Sequence, residues 1–186
     1  MKRTEGFSLI EVLMALLLTT VGVLGMVALQ GRSIQYTQDS AQRNTAVELV
    51  NDLVEIIRAN PKEVFNSVPP ASPMNNGIKG SSLFFKNKTQ TFSNREDCVS
   101  ESGELPGTAQ ELRDCWAKRV EEQLPDGAAL LTSDMYVCRS AAVGQCTQNQ
   151  GSMIEIQLAW RVRPGACLDA VDPNATICTY RVRVQP

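Results

Sequence analysis

The 186-residue chain contains no histidine. A catalytic triad with a histidine base, a zinc site with histidine ligands and a histidine pH switch are therefore excluded. A basic surplus is also lacking, because 18 lysines and arginines are set against 20 acidic residues and leave a net charge of −2. Nucleic acid is consequently not expected as a partner, since binding it requires cations that neutralise phosphates.

The apolar residues are concentrated near the N-terminus. Residues 1–6 form a short polar segment. Residues 7–29 contain a single charged residue, Glu11, and the 18 residues after it, 12–29, are uncharged. That run would form about 27 Å of helix, which is just enough to span the hydrocarbon core of a bilayer. Lys2 and Arg3 predict that the N-terminal end stays cytoplasmic. The chain after residue 30 is then expected across the membrane, where cysteines can oxidise.

Two plainer interpretations of this segment are a removed signal peptide and an uncleaved anchor. Residues 27–31 supply only a poor small-x-small cleavage site for a signal peptidase. Glu11 argues against a plain anchor, because a carboxylate costs roughly 2.5–3.5 kcal/mol at mid-bilayer, although a position at the interface would be tolerated. Glu11 lies one helical turn after Phe7. A cut between Gly6 and Phe7 would therefore create an amine, on the same chain or on a neighbouring copy, with which Glu11 could pair.

The residues from Gly6 to Val12 (GFSLIEV), followed by an apolar helix, resemble the prepilin signature of type IV pilins and pseudopilins. The resemblance implies that a prepilin peptidase cuts between Gly6 and Phe7 and methylates the new terminus, Phe7. It implies that the apolar helix is kept and becomes the core of a filament. It also implies that Glu11 neutralises the N-terminal amine of an adjacent subunit during assembly.

The helix is expected to continue well beyond the apolar run. No proline precedes Pro61 and no glycine lies between Gly31 and Gly77, so the predicted helix runs from Phe7 to Asn60, about 80 Å. A domain of the remaining 126 residues has a radius of gyration of only about 14 Å, which predicts a lollipop shape. Apolar or small residues at helical spacing mark the packing face: Ile34, Ala41, Thr45, Leu49, Leu53, Ile56 and Ile57, widened by Val47, Val50 and Val54.

The rest of the chain is interpreted as a small α+β domain. Residues 61–107, rich in Pro, Ser, Asn and Gly, indicate an irregular loop. A capping-box signature from Thr108 to Glu111 predicts a short helix that carries Trp116, a core anchor in preference to a ligand platform, and that ends at Pro125-Asp126-Gly127. This stretch loosely resembles PilV-type minor pilins. Three runs predict an antiparallel sheet: Ala129–Arg139, Met153–Arg163 and Ile177–Val184.

The six cysteines contain no Cys-x-x-Cys pair, so a zinc ribbon or a thioredoxin-like redox motif is not expected. Three disulfides are possible in 15 pairings, and free thiols that bind a metal are the alternative. Proximity along the chain favours Cys98 with Cys115, Cys138 with Cys146, and Cys167 with Cys178. Four arginines alternate with apolar residues near the C-terminus, and they are expected to form the solvated face of an edge hairpin or, alternatively, a subunit-docking surface: Arg161, Arg163, Arg181 and Arg183.

The expected fold class is α+β: a long N-terminal membrane and filament helix packed on a small antiparallel sheet domain with disulfide-stapled loops, as in a pilin. The expected segments are a leader (1–6), a transmembrane and filament-core helix (7–30), the amphipathic half of that helix (31–60) and a periplasmic α+β domain (61–186). The sequence offers no catalytic constellation, so an enzyme is not expected. Neither a cofactor nor a metal is expected.

The resemblance implies a minor pilin that primes type IV pilus assembly, with links to twitching motility and cell adhesion. Before assembly it would be a single-pass inner-membrane protein with a periplasmic domain. After assembly it would lie near the extracellular pilus tip, just below the apex, because the tip pseudopilin of the family lacks the glutamate that Glu11 matches. The implied partners are prepilin peptidase, other minor pilins, the major pilin, the inner-membrane assembly platform and a tip adhesin. A minor pseudopilin of a type II secretion system and a pilus-displayed adhesin are the alternatives.

Overall fold

The computed structural model describes residues 8–70, 77–92, 95–99, 103–147, 150–167 and 169–186. The chain divides into two units, Met1–Gln38 and Asp39–Pro186. The first helix, α1 (Leu9–Ala59), contributes residues to both units and is 51 residues long. The second unit holds the remaining helices and the sheet, and it is an α+β domain as predicted.

Helix α1 ends where the sequence predicts. The Asn60 side chain donates a hydrogen bond to the Ile56 carbonyl at 2.8 Å, and the Asn60 N–H donates to the Ile57 carbonyl at 3.1 Å. Pro61 follows and disfavours helical geometry in the residue before it. It also starts a one-turn helix, α2 (Pro61–Val64), so the interpretation of residues 61–107 as wholly irregular was wrong at its beginning. Proline suits the first position of a helix, where its missing N–H costs nothing.

Helix α3 (Ala109–Gln123) begins with the predicted capping box. The Thr108 hydroxyl accepts a hydrogen bond from the Glu111 N–H at 3.2 Å, and the Glu111 carboxylate accepts one from the Thr108 N–H at 3.0 Å. The Gly107 N–H also donates to this carboxylate. These backbone bonds, first that of Gly107 and then that of Thr108, lower the pKa of Glu111.

The predicted strand Ala129–Arg139 was wrong in its first half. Residues 129–133 belong to helix α4 (Gly127–Ser133), and strand β1 begins only at Tyr136 and ends at Ala142. A short apolar run fits a buried helix as well as a strand, and alanine and leucine favour the helix. Gly127 allows the turn between α3 and α4, because a Cβ there would lie 2.4 Å from the Val120 carbonyl oxygen.

The sheet has four antiparallel strands in the order β2-β1-β3-β4. Strand β2 (Gln145–Cys146) is a short hairpin partner of β1 that the sequence did not reveal, β3 spans Met153–Arg161, and β4 spans Ile177–Val184. Ile156 of β3 lies opposite Val137 of β1 and Val182 of β4. The predicted antiparallel sheet is thus confirmed, with β3 ending two residues earlier than expected.

The core lies between α1, α3, α4 and one face of the sheet. The predicted packing face of α1 is correct in its C-terminal part, whereas Ile34 and Ala41 are exposed. Helical spacing identifies a face but does not show where along a helix the packing begins. The buried core residues that α1 supplies are Ala46, Leu49, Val50, Leu53, Val54 and Ile57.

Two buried tryptophans attach the domain to the C-terminal part of α1. The Trp116 indole N–H donates to the Leu49 carbonyl at 2.7 Å, and the Trp160 indole N–H donates to the Asp39 carboxylate at 3.2 Å. Each ring therefore contributes apolar area to the core while its polar atom is satisfied. The expectation that Trp116 is a core anchor is confirmed.

All six cysteines form disulfides. The Cα atoms of each pair lie 4.7 to 5.5 Å apart, within the usual range for a disulfide. No thiol remains for the alternative of metal-binding cysteines. The pairs are Cys98–Cys115, Cys138–Cys146 and Cys167–Cys178, which are the pairs that proximity along the chain favours.

Candidate assembly site

The first candidate region is the N-terminal part of α1. Every residue from Ser8 to Gly31 is exposed, and apolar side chains dominate this stretch. Within the described part of the chain, α1 is the one helix long and apolar enough to cross a membrane, with a mean hydropathy of 2.5 over an 18-residue window. An apolar surface of this extent is unusual on a protein that stays in water. It therefore indicates a segment that is covered by lipid or by other protein.

The polar groups within this segment are few. The hydroxyls of Thr19 and Thr20 donate to the carbonyls of Leu16 and Leu17 at 2.9 and 2.8 Å, so both are satisfied within the helix. Glu11 lies in the first turn and is exposed. Backbone N–H groups at a helix start favour a carboxylate there.

Glu11 has no ion-pair partner among the residues that the structure describes. Gly6 and Phe7, between which cleavage is expected, lie outside the described residues. Within residues 8–31, α1 therefore presents one carboxylate on a largely apolar surface. A cation that could neutralise it has to come from the terminus or from another chain. A carboxylate buried without such a partner would be prohibitively costly.

The second candidate region is the outer face of the sheet, opposite the face that packs on the core. Glu155 of β3 is fully buried there. Its carboxylate accepts hydrogen bonds from the Tyr136 hydroxyl at 2.6 Å, the Ser140 hydroxyl at 3.0 Å and the Gly144 N–H at 2.8 Å. The guanidinium groups of Arg181 and Arg183 lie 3.6 and 3.7 Å from it. Glu155 thus attaches the disulfide-closed β1–β2 turn to the sheet.

Three of the four arginines near the C-terminus are exposed as predicted, whereas Arg183 is only partly exposed. Arg161 and Arg181 also have side-chain partners. Arg161 pairs with Asp126 at 2.6 Å, and Arg181 donates two hydrogen bonds to the Gln157 side chain at 2.9 and 2.7 Å. The side chains of Arg161 and Arg181 remain 51% and 39% exposed, and Arg163 is exposed. Their role in subunit docking stays a prediction.

Sequence reasoning missed Glu155. A polar residue at an alternate position of a strand usually indicates solvent exposure, and that pattern gives no reason to expect Glu155 to be buried. The pairing of β3 with β4 could have indicated its role, because Glu155 lies opposite Arg183 and Gln157 lies opposite Arg181. Opposite charges at matching positions of two predicted strands favour direct cross-strand pairing.

Two family models match the N-terminal third of the chain. The prokaryotic N-terminal methylation motif matches residues 1–27, and the model described as type IV pilin Tt1218 matches residues 28–69. No curated protein and no solved structure matches the chain. The two matches are contiguous and together contain all of α1.

The matches agree with the geometry of the first candidate region. A methylation motif of this kind implies processing by a prepilin peptidase and assembly with other pilins, and the exposed apolar part of α1 fits membrane anchoring before assembly. The family is structural rather than enzymatic. The α+β domain with its four-stranded antiparallel sheet and three disulfides has the architecture expected of a pilin. Residues 1–69 of the chain thus resemble type IV pilins, and the α+β domain that follows fits a pilin-like fold.

Proposed function

We propose that this chain is a minor pilin of a type IV pilus, similar to the PilV type, which primes assembly within a complex of minor pilins near the filament tip. In this proposal a prepilin peptidase removes residues 1–6 and methylates Phe7. Residues 7–30 then form the transmembrane and filament-core helix, residues 31–60 continue it, and residues 61–186 form the periplasmic domain. Contacts with the assembly platform, the major pilin and a tip adhesin belong to the same proposal.

The observation that carries the proposal is Glu11 on the exposed apolar surface of α1. When the helix leaves the bilayer and enters a filament, its surface is surrounded by apolar side chains of other subunits. A buried carboxylate is tolerable there only if a cation pairs with it. The amine of a cleaved Phe7 on a previously added subunit supplies such a cation. The carboxylate therefore favours recruitment next to an existing subunit over a position alone at the apex.

The test compares Glu11→Leu with a matched control, Glu48→Leu, which removes an exposed carboxylate of α1 outside the apolar segment. The Glu11 variant should insert into the membrane at least as well as the natural chain, because a charge has been removed from the bilayer. Its co-purification with other minor pilins, and the number of pili per cell, should fall severalfold. The control should match the natural chain in both measurements.

Two outcomes would contradict the proposal. One is normal piliation and normal co-purification of the Glu11→Leu variant. The other is a set of crosslinks that places this subunit alone at the apex. A pseudopilin of a type II secretion system carries the same N-terminal motif, and identification of the proteins in sheared pili separates the two. Presence of this chain in pili supports the minor pilin, whereas its absence together with a secretion defect supports the pseudopilin.

A further inference from the structure

A small polar pocket lies between residues 80–90 and the disulfide-closed β1–β2 hairpin. Its volume is about 180 Å³, which is below the roughly 300–1,000 Å³ of sites that hold drug-sized ligands. The size suits a molecule no larger than a single sugar ring. The lining residues used below are Ser81, Phe85, Lys86, Asn87, Arg139 and Thr147.

The charged side chains that line this pocket are all positive. Among its described lining residues the only charged ones are Lys86 and Arg139, which are 4% and 6% exposed. Arg139 donates to the carbonyls of Gly151 and Ile78, each at 2.7 Å. These contacts hold the guanidinium group in place beside the pocket.

Lys86 has a hydrogen left to donate. Its ammonium donates to the Met135 carbonyl at 2.5 Å and to the Asn87 carbonyl at 3.4 Å. An ammonium has three N–H bonds, and within the described residues neither a third acceptor nor a carboxylate pairs with Lys86. Burial lowers its pKa to about 8, so the group is still largely protonated at neutral pH. A buried cation of this kind is normally paired with an anion.

We propose that this pocket binds the carboxylate group of a small hydroxylated molecule, such as a sugar acid. Lys86 and Arg139 would attract the carboxylate, and hydrogen bonds from a cation to a carboxylate are the strong class. The side chains of Ser81, Asn87 and Thr147 offer partners for hydroxyl groups. The ring of Phe85 adds an apolar wall to this set.

The test is a ligand-observed NMR titration of the full chain in detergent micelles with sodium glucuronate. Glucose serves as the uncharged ligand, and inorganic phosphate serves as an anion of a different shape. Glucuronate should bind saturably, whereas glucose should not, and phosphate should displace glucuronate only at much higher concentration. Lys86→Gln should weaken glucuronate binding about tenfold or more, the loss expected for one charge-assisted hydrogen bond.

Two further variants keep the test decisive. Lys62→Gln removes an exposed lysine outside the pocket, and it should leave the affinity within about twofold. Ser81→Trp places a bulky ring at an exposed lining position, and it should abolish binding even if the Lys86 variant fails to fold. Both expectations require that each variant shows a cooperative thermal transition.

Several results would overturn the inference. They are absence of saturable glucuronate binding to the natural chain, equal binding of glucose, displacement by an equal concentration of phosphate, or an unchanged affinity of a folded Lys86→Gln variant. Absent binding or an unchanged affinity would mean that Lys86 acts only as a donor to the carbonyls of Met135 and Asn87. Equal binding of glucose, or displacement by phosphate, would mean that the pocket does not select a carboxylate. None of these readouts involves filament assembly, so such a failure leaves the proposed pilin function untouched.

Discussion

We expect the buried polar residues of this domain to affect its stability more than its surface charges do. Glu155 is the clearest case, because it accepts three hydrogen bonds and faces two guanidinium groups while it is fully buried. Most of the surface ion pairs, such as Lys118 with Glu122, contribute little by comparison, since water screens them. Substitution of a buried polar residue should therefore change stability much more than substitution of an exposed one.

Glu155→Gln should lower the free energy of unfolding by about 1–3 kcal/mol. The amide keeps the shape of the side chain but loses its charge. Its NH2 group also replaces one acceptor oxygen, although the groups around Glu155 are donors. Urea denaturation measures this change. Glu122→Gln is the control and should stay within about 0.5 kcal/mol of the natural chain. Equal stability of both variants would mean that the Glu155 contacts contribute nothing net.

Lys86 should make stability depend on pH. Burial lowers its pKa in the folded chain from 10.5 to about 8. Between these values the unfolded chain binds more protons than the folded chain, so the free energy of unfolding rises with pH. Tyr136 acts in the opposite direction above about pH 10, because burial and its bond to Glu155 raise its pKa.

The window for the Lys86 effect is therefore pH 8 to 9.5. Over that range the natural chain should gain on the order of 1–2 kcal/mol, and Lys86→Gln should lose this gain. Urea denaturation at pH 7.5, 8.5 and 9.5 provides the comparison. A flat profile for the natural chain, or an equal rise for the variant, would show that Lys86 is not the titrating group.

At the scale of elements, the junction between α3 and α4 depends on close backbone contact. A Cβ at Gly127 would lie 2.4 Å from the Val120 carbonyl oxygen and 2.8 Å from that of Glu121. Both obstacles are backbone atoms of α3, which cannot move aside as the end of a flexible side chain can. Gly107, by contrast, has nothing within 4 Å of such an atom.

Gly127→Ala should therefore destabilise the domain by about 1–3 kcal/mol, through displacement of α4 from α3. Gly107→Ala should change stability by less than about 0.5 kcal/mol. Thermal or urea unfolding followed by circular dichroism gives both values. If the two alanine variants unfold alike, the contact between α3 and α4 is not as close as the structure has it.

Some helices and strands could be predicted from the sequence, and others could not. Helix α1 was predictable because its proline-free run ends at Asn60-Pro61, and α3 was predictable because Thr108 and Glu111 form a capping box. The strand predicted at residues 129–139 failed in its first half because a short run of Ala and Leu carries no distinguishing period. Strand β2 has only two residues, too few to show any alternation.

The residues of the candidate sites also differ in whether the sequence could predict them. Gly6, Phe7 and Glu11 could be proposed as processing and assembly residues because they form a local motif. Glu155 and Lys86 were not found, because their burial depends on residues that come from distant segments: Tyr136 and Ser140 in one case and Met135 in the other. Contacts between segments that are distant in sequence are difficult to predict from the sequence alone.

At the scale of the whole molecule, three disulfides stabilise loops of the domain. Their sequence separations are 17, 8 and 11 residues. Loops of about this size are worth on the order of 2–3 kcal/mol each in the chain-entropy account. Disulfides persist in oxidising compartments, so the three bridges fit the proposed periplasmic location of the domain.

Peptide mapping without reduction should find three linked pairs and no free thiol in the purified chain. Each peptide that contains Cys98, Cys138 or Cys167 should be joined to the nearest following cysteine. A crossed pair, such as Cys98 with Cys178, would contradict both the structure and the pairing by proximity. Reduction should lower the thermal midpoint of the domain, because all three loops are then opened.

Mass spectrometry of the N-terminus shows whether the apolar helix is retained in a processed subunit. The chain is purified from cells with and without prepilin peptidase. With the peptidase, the first residue should be Phe7 with a methylated amine, and without it residues 1–6 should remain attached. A mature chain that begins at Met1 or at Gln30 in cells with the peptidase would show that the chain is not processed as a prepilin.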